Sequence, residues 1–343
     1  MENTAFLKKS IDAASKVCIL VHTHPDGDAA GSGLAMLSYL CEKLGKNAFL
    51  VVPDSIPSTL AFMDGVHQAV DASAEPDKAA EIISTADLLL IQDLNRLNRT
   101  EQLEAAVRSS GATKVLIDHH MNPDREAFDI VFSEPERSST CELLYFILRE
   151  LEGGAVNTLP ARCLSSLMTG MITDTNNFAN SVRPDTLRMA AELLEAGVDR
   201  DGILQHLYNE DRRERIFAFA DMVSSRTVIL PCGLSYMIMT EEMENGYGLL
   251  EGETESLVNI PLKIKDVKMN VFLREEGGLF RVSIRSRRGW SARKMAETLF
   301  HGGGHELAAG GKLRWPDDIP AREAAEDFIR TVAARFLRET TTL

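Results

Sequence analysis

Six side chains in this sequence make up a candidate ligand set for divalent cations. The stretch His22-Thr23-His24-Pro25-Asp26-Gly27-Asp28 packs two imidazoles and two carboxylates into seven residues. Further along stand Asp93, the run Asp118-His119-His120, and Asp174. His22, Asp26, Asp28, Asp93, His119 and Asp174 form a nitrogen–oxygen donor set without thiolate, which suits manganese, and zinc or iron less decisively. Its four carboxylates balance two divalent cations in charge. Two such cations, ~3.5–4 Å apart, share a bridging water, lower its pKa and clamp both oxygens of an in-line displacement at phosphorus. There is no Gly-x-Ser-x-Gly elbow and no Walker loop, so a covalent mechanism is not indicated.

The elements that must position these groups alternate between strand and helix. An amphipathic helix over 3–15 precedes the apolar strand 17–22. A small-residue helix over 29–44 ends at Gly45, and strand 48–52 stops at Pro53. Pro76 opens a helix to about Thr85. The run Leu88 to Ile91 leads into Gln92-Asp93. A helix over 100–109 precedes Lys114 to Ile117, which leads into Asp118. A strand over 128–132 and helices over 139–151 and 160–172 follow, the last running into Asp174. The alternation predicts an α/β fold whose N-terminal sheet is mostly parallel with helices on both faces. Right-handed crossovers then bring the ends of three strands, at His22, Asp93 and Asp118, to one sheet edge, where α/β proteins bind ligands.

The charged stretch 200–227 reads as one helix linking two domains. The division expected is 1–200 for a metal-binding domain, 201–228 for the helical linker and 229–343 for a smaller substrate-binding α/β domain with a mixed sheet. In that second part, strands over 266–273 and 279–286 join at Glu275-Glu276-Gly277-Gly278, a hairpin signal. Glu255 to Pro261 and 291–300 read as helices, and 320–338 as a C-terminal one. Gly302-Gly303-Gly304-His305 leads to Ala308-Ala309-Gly310, read as a small-residue helix start where free N–H groups favour an anion. Alternation puts Arg281, Arg285 and Arg287 on one strand face, opposite Val282 and Ile284.

Composition limits the function classes. The formal charge of −14 argues against non-specific binding to long duplex nucleic acid, but not against a short anionic substrate on a local basic patch. Five scattered cysteines without a Cys-x-x-Cys pair fit buried reduced thiols of a cytoplasmic protein rather than disulfides or a cysteine zinc site. No apolar run reaches the ~18 residues of a membrane span, and residues 1–16 carry no signal-peptide core.

His22-x-His-Pro-Asp26-Gly-Asp28, Asp93, Asp118-His119-His120 and Asp174 resemble the four motifs of the DHH phosphoesterase family. Gly302-Gly303-Gly304-His305 with Ala308-Ala309-Gly310 resembles the glycine-rich signature of the DHH-associated C-terminal domain. Order and spacing are most similar to the bacterial nanoRNase and pAp phosphatase branch. The resemblance implies that His22, Asp26 and Asp93 bind one metal, while Asp28, Asp93, His119 and Asp174 bind a second. It places His120 at the scissile phosphate, so Asp93, His119 and His120 are the catalytic candidates. It implies that Arg285, His305, Gly302, Gly303 and Gly304 hold the substrate's phosphate or terminal nucleotide. Arg99, just after Asp93, could reach a phosphate from the other side. His24 is read as fixing the turn, and Ser139 and Thr140, with Glu142, as a helix cap. The family often has Gly after Asp174-Thr175, where this chain has Asn176-Asn177.

The expected activity is manganese-dependent hydrolysis of short oligoribonucleotides, of the 3′-phosphate of pAp, or of both, with a homodimer left open. Pyrophosphatase or exopolyphosphatase activity and dinucleotide phosphodiesterase activity are the alternatives. A non-enzymatic binding module would be expected to have lost ligands, and none of the six is missing.

Overall fold

The structure, a computed structural model, describes residues 2–250 and 252–339. The chain divides into two compact units between Glu210 and Asp211.

The first unit is built on strands β1 (Lys16–Leu20), β2 (Asn47–Val52), β3 (Val70–Asp71), β4 (Leu88–Gln92), β5 (Thr113–Asp118) and β6 (Ile130–Ser133). They form one sheet in the order β3-β2-β1-β4-β5-β6, and every neighbouring pair is parallel. The strands are apolar almost throughout because both faces are covered. Val17, Ile19 and Leu90 face α1 (Glu2–Ala13) and α2 (Gly27–Ser38), whose Leu7, Ile11 and Leu34 share their core cluster. Cys18, Leu20 and Ile91 face α3 (Pro76–Thr85) and α4 (Glu104–Ser109) through Ala79, Ile83 and Val107. The first face also holds α5 (Thr140–Leu151), α6 (Ala161–Asp174), α7 (Pro184–Glu195) and α8 (Arg200–Tyr208).

In this order the chain reverses its winding between β1 and β4. The crevice beyond the carboxyl ends of those strands is the topological switch point. The register sets the level of each side chain there. Leu20 pairs with Ile91, so His22 and Asp93, each two residues on, stand level. Gln92 pairs with Ile117, so Asp93 and Asp118 stand level.

The close approach of α2 and α6 accounts for the small residues of both. A Cβ on Gly31 would lie 2.7 Å from the carbonyl oxygen of Ser166, and one on Gly170 would lie 2.3 Å from Sγ of Cys141 and 3.0 Å from Oδ1 of Asp28. Beyond α6, Asn176, Asn177 and Phe178 all have positive φ (48°, 54° and 65°). Asparagine adopts this left-handed conformation more readily than most residues, and it stands here at the place where the family often uses glycine.

The second unit carries β7 (Val228–Ile229), β8 (Leu234–Met239), β9 (Met269–Glu276), β10 (Leu279–Ser286), β11 (Gly303–Gly304) and β12 (Ala308–Arg314). Their order is β11-β12-β10-β9-β8-β7, and only β8 and β9 run parallel, which makes the sheet mixed as expected. The β9–β10 hairpin turns at Gly277 and Gly278, both at positive φ. One face packs on α11 (Ala292–Leu299) and the C-terminal helical segments through Met295, Phe300 and Ile329. The other packs on α9 (Arg213–Ser225) and the 3₁₀ segment Leu257–Lys263 through Met222, Met237, Phe272 and Leu257. Glu241–Tyr247 forms α10.

The short helix expected over Glu255 to Pro261 is present as the 3₁₀ helix Leu257–Lys263. Three local expectations are corrected. The stretch read as one linking helix is two, α8 and α9, which fall in different units. The small-residue helix expected at Ala308 is strand β12. Arg287 lies past the end of β10 and donates to the carbonyls of Leu262 and Ile264 at 2.6 and 3.1 Å, so it does not share the strand face of Arg281 and Arg285.

Candidate metal centre

His22 follows β1 and is buried. Its Nδ1–H donates to the carbonyl of Thr23 at 2.7 Å, which leaves the Nε2 lone pair facing Oδ2 of Asp93 at 3.4 Å and Oδ1 of Asp26 at 3.9 Å. This is how a ligating histidine is usually oriented, with one nitrogen bonded to the protein and the other left for a cation. Asp26 is the N-cap of α2. Its Oδ1 accepts from the amides of Asp28 and Ala29 at 3.0 and 3.1 Å, and about half of its side chain remains exposed. His24, at φ 50°, turns away and pairs with Asp54: Nδ1 lies 3.0 Å from Oδ2, and its amide donates to Oδ1 at 2.6 Å.

Asp93 is 2 % exposed and has φ 59°, a left-handed conformation that costs a non-glycine residue about 1–3 kcal/mol. Three bonds hold it there. Its amide donates to the carbonyl of Ile117 at 3.1 Å, its carbonyl accepts from Nη1 of Arg99 at 3.2 Å, and its Oδ1 accepts from Oγ1 of Thr140 at 2.9 Å.

Asp28 is 2 % exposed and lies against the start of α5. Its Oδ2 accepts from the amide of Thr140 at 2.6 Å and its Oδ1 from that of Cys141 at 2.9 Å. His119 directs Nδ1 at the carbonyl of Arg137, 3.3 Å away. Its Nε2 faces three carboxylates: Asp174 at 3.5 Å, Asp93 at 3.7 Å and Asp28 at 3.9 Å. Two candidate groups thus meet at Asp93. His22, Asp26 and Asp93 have ligand atoms within 4.8 Å of one another, as do Asp28, His119 and Asp174. A third such group, Asp93, Asp118 and His120, shares the same carboxylate.

His120 differs from its neighbour. Its Nδ1 lies 2.7 Å from Oδ1 of fully buried Asp118, and its Nε2 lies 3.3 Å from Nη1 of Arg99. The side-chain amide of Gln92, one residue before Asp93, is fully buried with neither its oxygen nor its nitrogen bonded, and Oδ2 of Asp118 is also unbonded.

The electrostatics describe a centre short of positive charge. Burial, reinforced by Asp93 and Asp174, pushes the Asp28 carboxyl well above the usual range. Burial works against the charge on Asp93 too, but His22, His120 and His119 outweigh it and hold that carboxyl well below the usual range. Burial would lower His119, yet Asp174, Asp28 and Asp93 overcome it and raise the imidazole to about 9. Among the described residues, neither Asp28 nor Asp93 has a lysine or arginine ion-pair partner. Two imidazole lone pairs and a crowd of mutually repelling carboxylates are a donor set that a divalent cation fits.

Sequence reasoning missed the segment Arg137–Cys141, which touches three of the six candidate ligands. Ser139 does cap α5, since its Oγ accepts from the amide of Glu142 at 2.9 Å, but Thr140 reaches Asp93 instead. Behind them, fully buried Glu142 accepts from Thr186, from Arg137 and from both the amide and hydroxyl of Ser138. The Ser-Ser-Thr-x-Glu pattern was the available signal, and it was consistent with capping alone.

In the second unit, β10 alternates as expected. Arg281 and Arg285 are half-buried on one face, while Val282 and Ile284 are buried on the other. Arg281 pairs with Glu276 at 2.5 Å, and Nη1 of Arg285 donates to the carbonyl of Ile284 at 3.0 Å. Gly303 and Gly304 pair with Gly310 and Ala309, and the amide of His305 donates to the carbonyl of Ala308 at 2.7 Å. A Cβ on Gly302 would lie 1.8 Å from the carbonyl oxygen of Gly310, so this glycine is required by strand packing. The helix N-terminus invoked for anion binding at these glycines does not exist.

Comparisons with known proteins agree with this layout. The profile of the DHH family, N-terminal domain, matches residues 16–171, and that of the DHHA1 domain matches 235–336. The chain is 29 % identical over 322 residues to the bifunctional oligoribonuclease and PAP phosphatase NrnA of Thermus thermophilus, covering 93 % of this chain and 90 % of that one. The crystal structure of an exopolyphosphatase-related protein from Bacteroides fragilis is similar, with a TM-score of 0.89 at 28 % identity over 99 % of this chain and 97 % of that one. The cyclic-di-AMP phosphodiesterase PdeA of Listeria monocytogenes is 25 % identical over 97 % of this chain, which spans half of that protein's length. No helix among the described residues is long and apolar enough to cross a membrane. With a DHH N-terminal domain followed by a DHHA1 domain, and with His22, Asp93 and Asp118 level at one sheet edge, this chain belongs to the DHH family of phosphoesterases.

Proposed function

We propose that this protein is a manganese-dependent phosphoesterase acting on short oligoribonucleotides, on the 3′-phosphate of pAp, or on both. The observation that carries this reading is the convergence of the His22 and His119 Nε2 atoms with Asp26, Asp28, Asp93 and Asp174 around one shared carboxylate. His22, Asp26 and Asp93 would hold one cation, and Asp28, Asp93, His119 and Asp174 a second. When bound, the pair supplies Lewis acidity and an activated water for in-line displacement at phosphorus.

The chain's own groups do the rest. Thr23 and Arg137 fix the two ligating imidazoles through their carbonyls. Asp118 fixes His120 so that its Nε2 stands beside Arg99, and this pair is our choice for binding the phosphoryl oxygens and protonating the leaving group. Arg285 and His305, with the Gly302–Gly304 backbone, are our choice within the second unit for holding a phosphate or terminal nucleotide. The substrate class is supported by the name of the Thermus relative, which covers nearly the whole chain. A polyphosphate substrate is the second reading, favoured by the description of the Bacteroides structure.

A manganese-supplemented panel of pAp, RNA dinucleotide, RNA pentanucleotide, pGpG, pyrophosphate and polyphosphate tests this. Turnover of pAp or the short RNAs is expected to exceed that of the other substrates. Preference for polyphosphate would move the assignment to the second reading, and no turnover of any would sink both.

A further inference from the structure

Thr140 is fully buried and is the first residue of α5, and the capping of that helix is already provided by Ser139. Its hydroxyl is therefore not needed for the helix. It donates instead across 47 residues of sequence to Oδ1 of Asp93 at 2.9 Å, while the amide of the same residue donates to Oδ2 of Asp28 at 2.6 Å. One residue thus grips two carboxylates, one in the first turn of α2 and one just beyond β4.

What the hydroxyl does follows from how the Asp93 carboxylate is turned. Its Oδ2 faces His22 at 3.4 Å and its Oδ1 faces His119 at 3.7 Å. The last torsion of an aspartate is broad and only weakly fixed by its own chemistry. Without a donor on Oδ1, the carboxylate could rotate about that bond and still keep one oxygen near His22. The oxygen offered toward His119 is the one that would be lost.

We propose that Thr140 is a positioning residue that turns the shared carboxylate of Asp93 toward the half of the centre formed by Asp28, His119 and Asp174. The assignment rests on the two-cation reading above. Thr140 makes Asp93 a bridge between two halves rather than a ligand of one.

The test is manganese binding to the full chain, followed by calorimetry and by the electron paramagnetic resonance of the free ion, with no turnover required. Wild type is expected to take up two ions. His119→Ala identifies the step that belongs to its half by removing it. Thr140→Val keeps the branched side chain and the backbone amide and deletes only the donor. It should weaken that same step about tenfold or more, the range seen when outer partners of metal ligands are removed, and leave the other step within about twofold. Thr140→Ser should restore the weakened step. Wild-type stoichiometry and affinities in Thr140→Val would overturn the proposal, as would equal weakening of both steps or failure of the serine variant to restore binding. If Asp93→Ala retained both ions, or if wild type bound none, the two-cation reading itself would fall, a result distinct from a normal Thr140→Val isotherm.

Discussion

Nδ1 of His120 lies 2.7 Å from Oδ1 of Asp118, and this contact gives two consecutive histidines different surroundings. His119 aims Nε2 into a group of carboxylates, whereas His120 is bonded through Nδ1 to buried Asp118 and turns Nε2 toward Arg99. A buried carboxylate that fixes an imidazole sets its tautomer and orientation. We expect Asp118→Asn to lower turnover at least tenfold while manganese stoichiometry stays at the wild-type value. A parallel loss of metal binding would show that Asp118 serves the cations and not His120.

The shared carboxylate and the imidazole that faces three carboxylates should be indispensable. Asp93→Ala and His119→Ala are each expected to reduce manganese-dependent hydrolysis by ~10³-fold or more, because each removes a ligand rather than an adjunct. Circular dichroism and melting curves of both variants should remain those of a folded protein. Retained activity in either variant would exclude the two-cation mechanism.

Protons and cations should compete. The His119 imidazole is raised from 6.5 to about 9, so it holds a proton at neutral pH, and burial raises the Asp28 carboxyl as well. For His119 the sign is that of a raised group. Its contribution to metal-free stability is complete below pH 6.5 and disappears as pH climbs through about 9. Metal affinity must run the other way, rising across the same window. Titrating manganese in buffers of different ionisation enthalpy at pH 7 should reveal proton release. Uptake without release would contradict the protonated imidazole.

The helix crossing that places Asp28 beside Asp174 should tolerate no added carbon. Gly31→Ala puts a methyl group 2.7 Å from a backbone oxygen, and Gly170→Ala puts one against Cys141 and Asp28. Overpacking of this kind destabilises by about 1–3 kcal/mol, and both variants should melt lower than wild type. An unchanged melting temperature in Gly31→Ala would mean that α2 and α6 can move apart freely.

Gln92 is the opposite case. Its fully buried amide has no protein partner at either end, a situation that costs about 1–3 kcal/mol unless ordered water fills it. Gln92→Met, close to it in shape, should therefore raise stability to urea by ~1 kcal/mol. A loss of stability instead would locate structured water at that amide.

Much of this layout was legible because strand ends are legible. An apolar run such as Leu88 to Ile91 followed by an acid locates Asp93 at a sheet edge, and the alternation of elements dictates that the edges coincide. Strand β3, with two residues, is too short to show a period. The local sequence around Thr140 signals only a cap, because its partner is 47 residues distant and no local pattern announces such a contact. At Gly302–Gly304, a loop that cradles an anion and a strand pressed against another backbone call for the same residue type. The small side chains of Ala308-Ala309-Gly310 fit a helix start as readily as the strand they form. The break at 209–212 that separates α8 from α9 contains neither glycine nor proline.

The left-handed backbone of Asp93, the cap at Asp26 and the carbonyls behind His22 and His119 share one property: none of these restraints involves a cation. Side chains held in this way would admit ions as passengers and not as scaffolding. Domains whose ligands gather only around the ion unfold when it is stripped. A chelator should instead leave this chain as a silent but intact shell, ready to be recharged. Such a vessel can exchange its cargo, and the metals at hand would then govern its working rate without altering its shape.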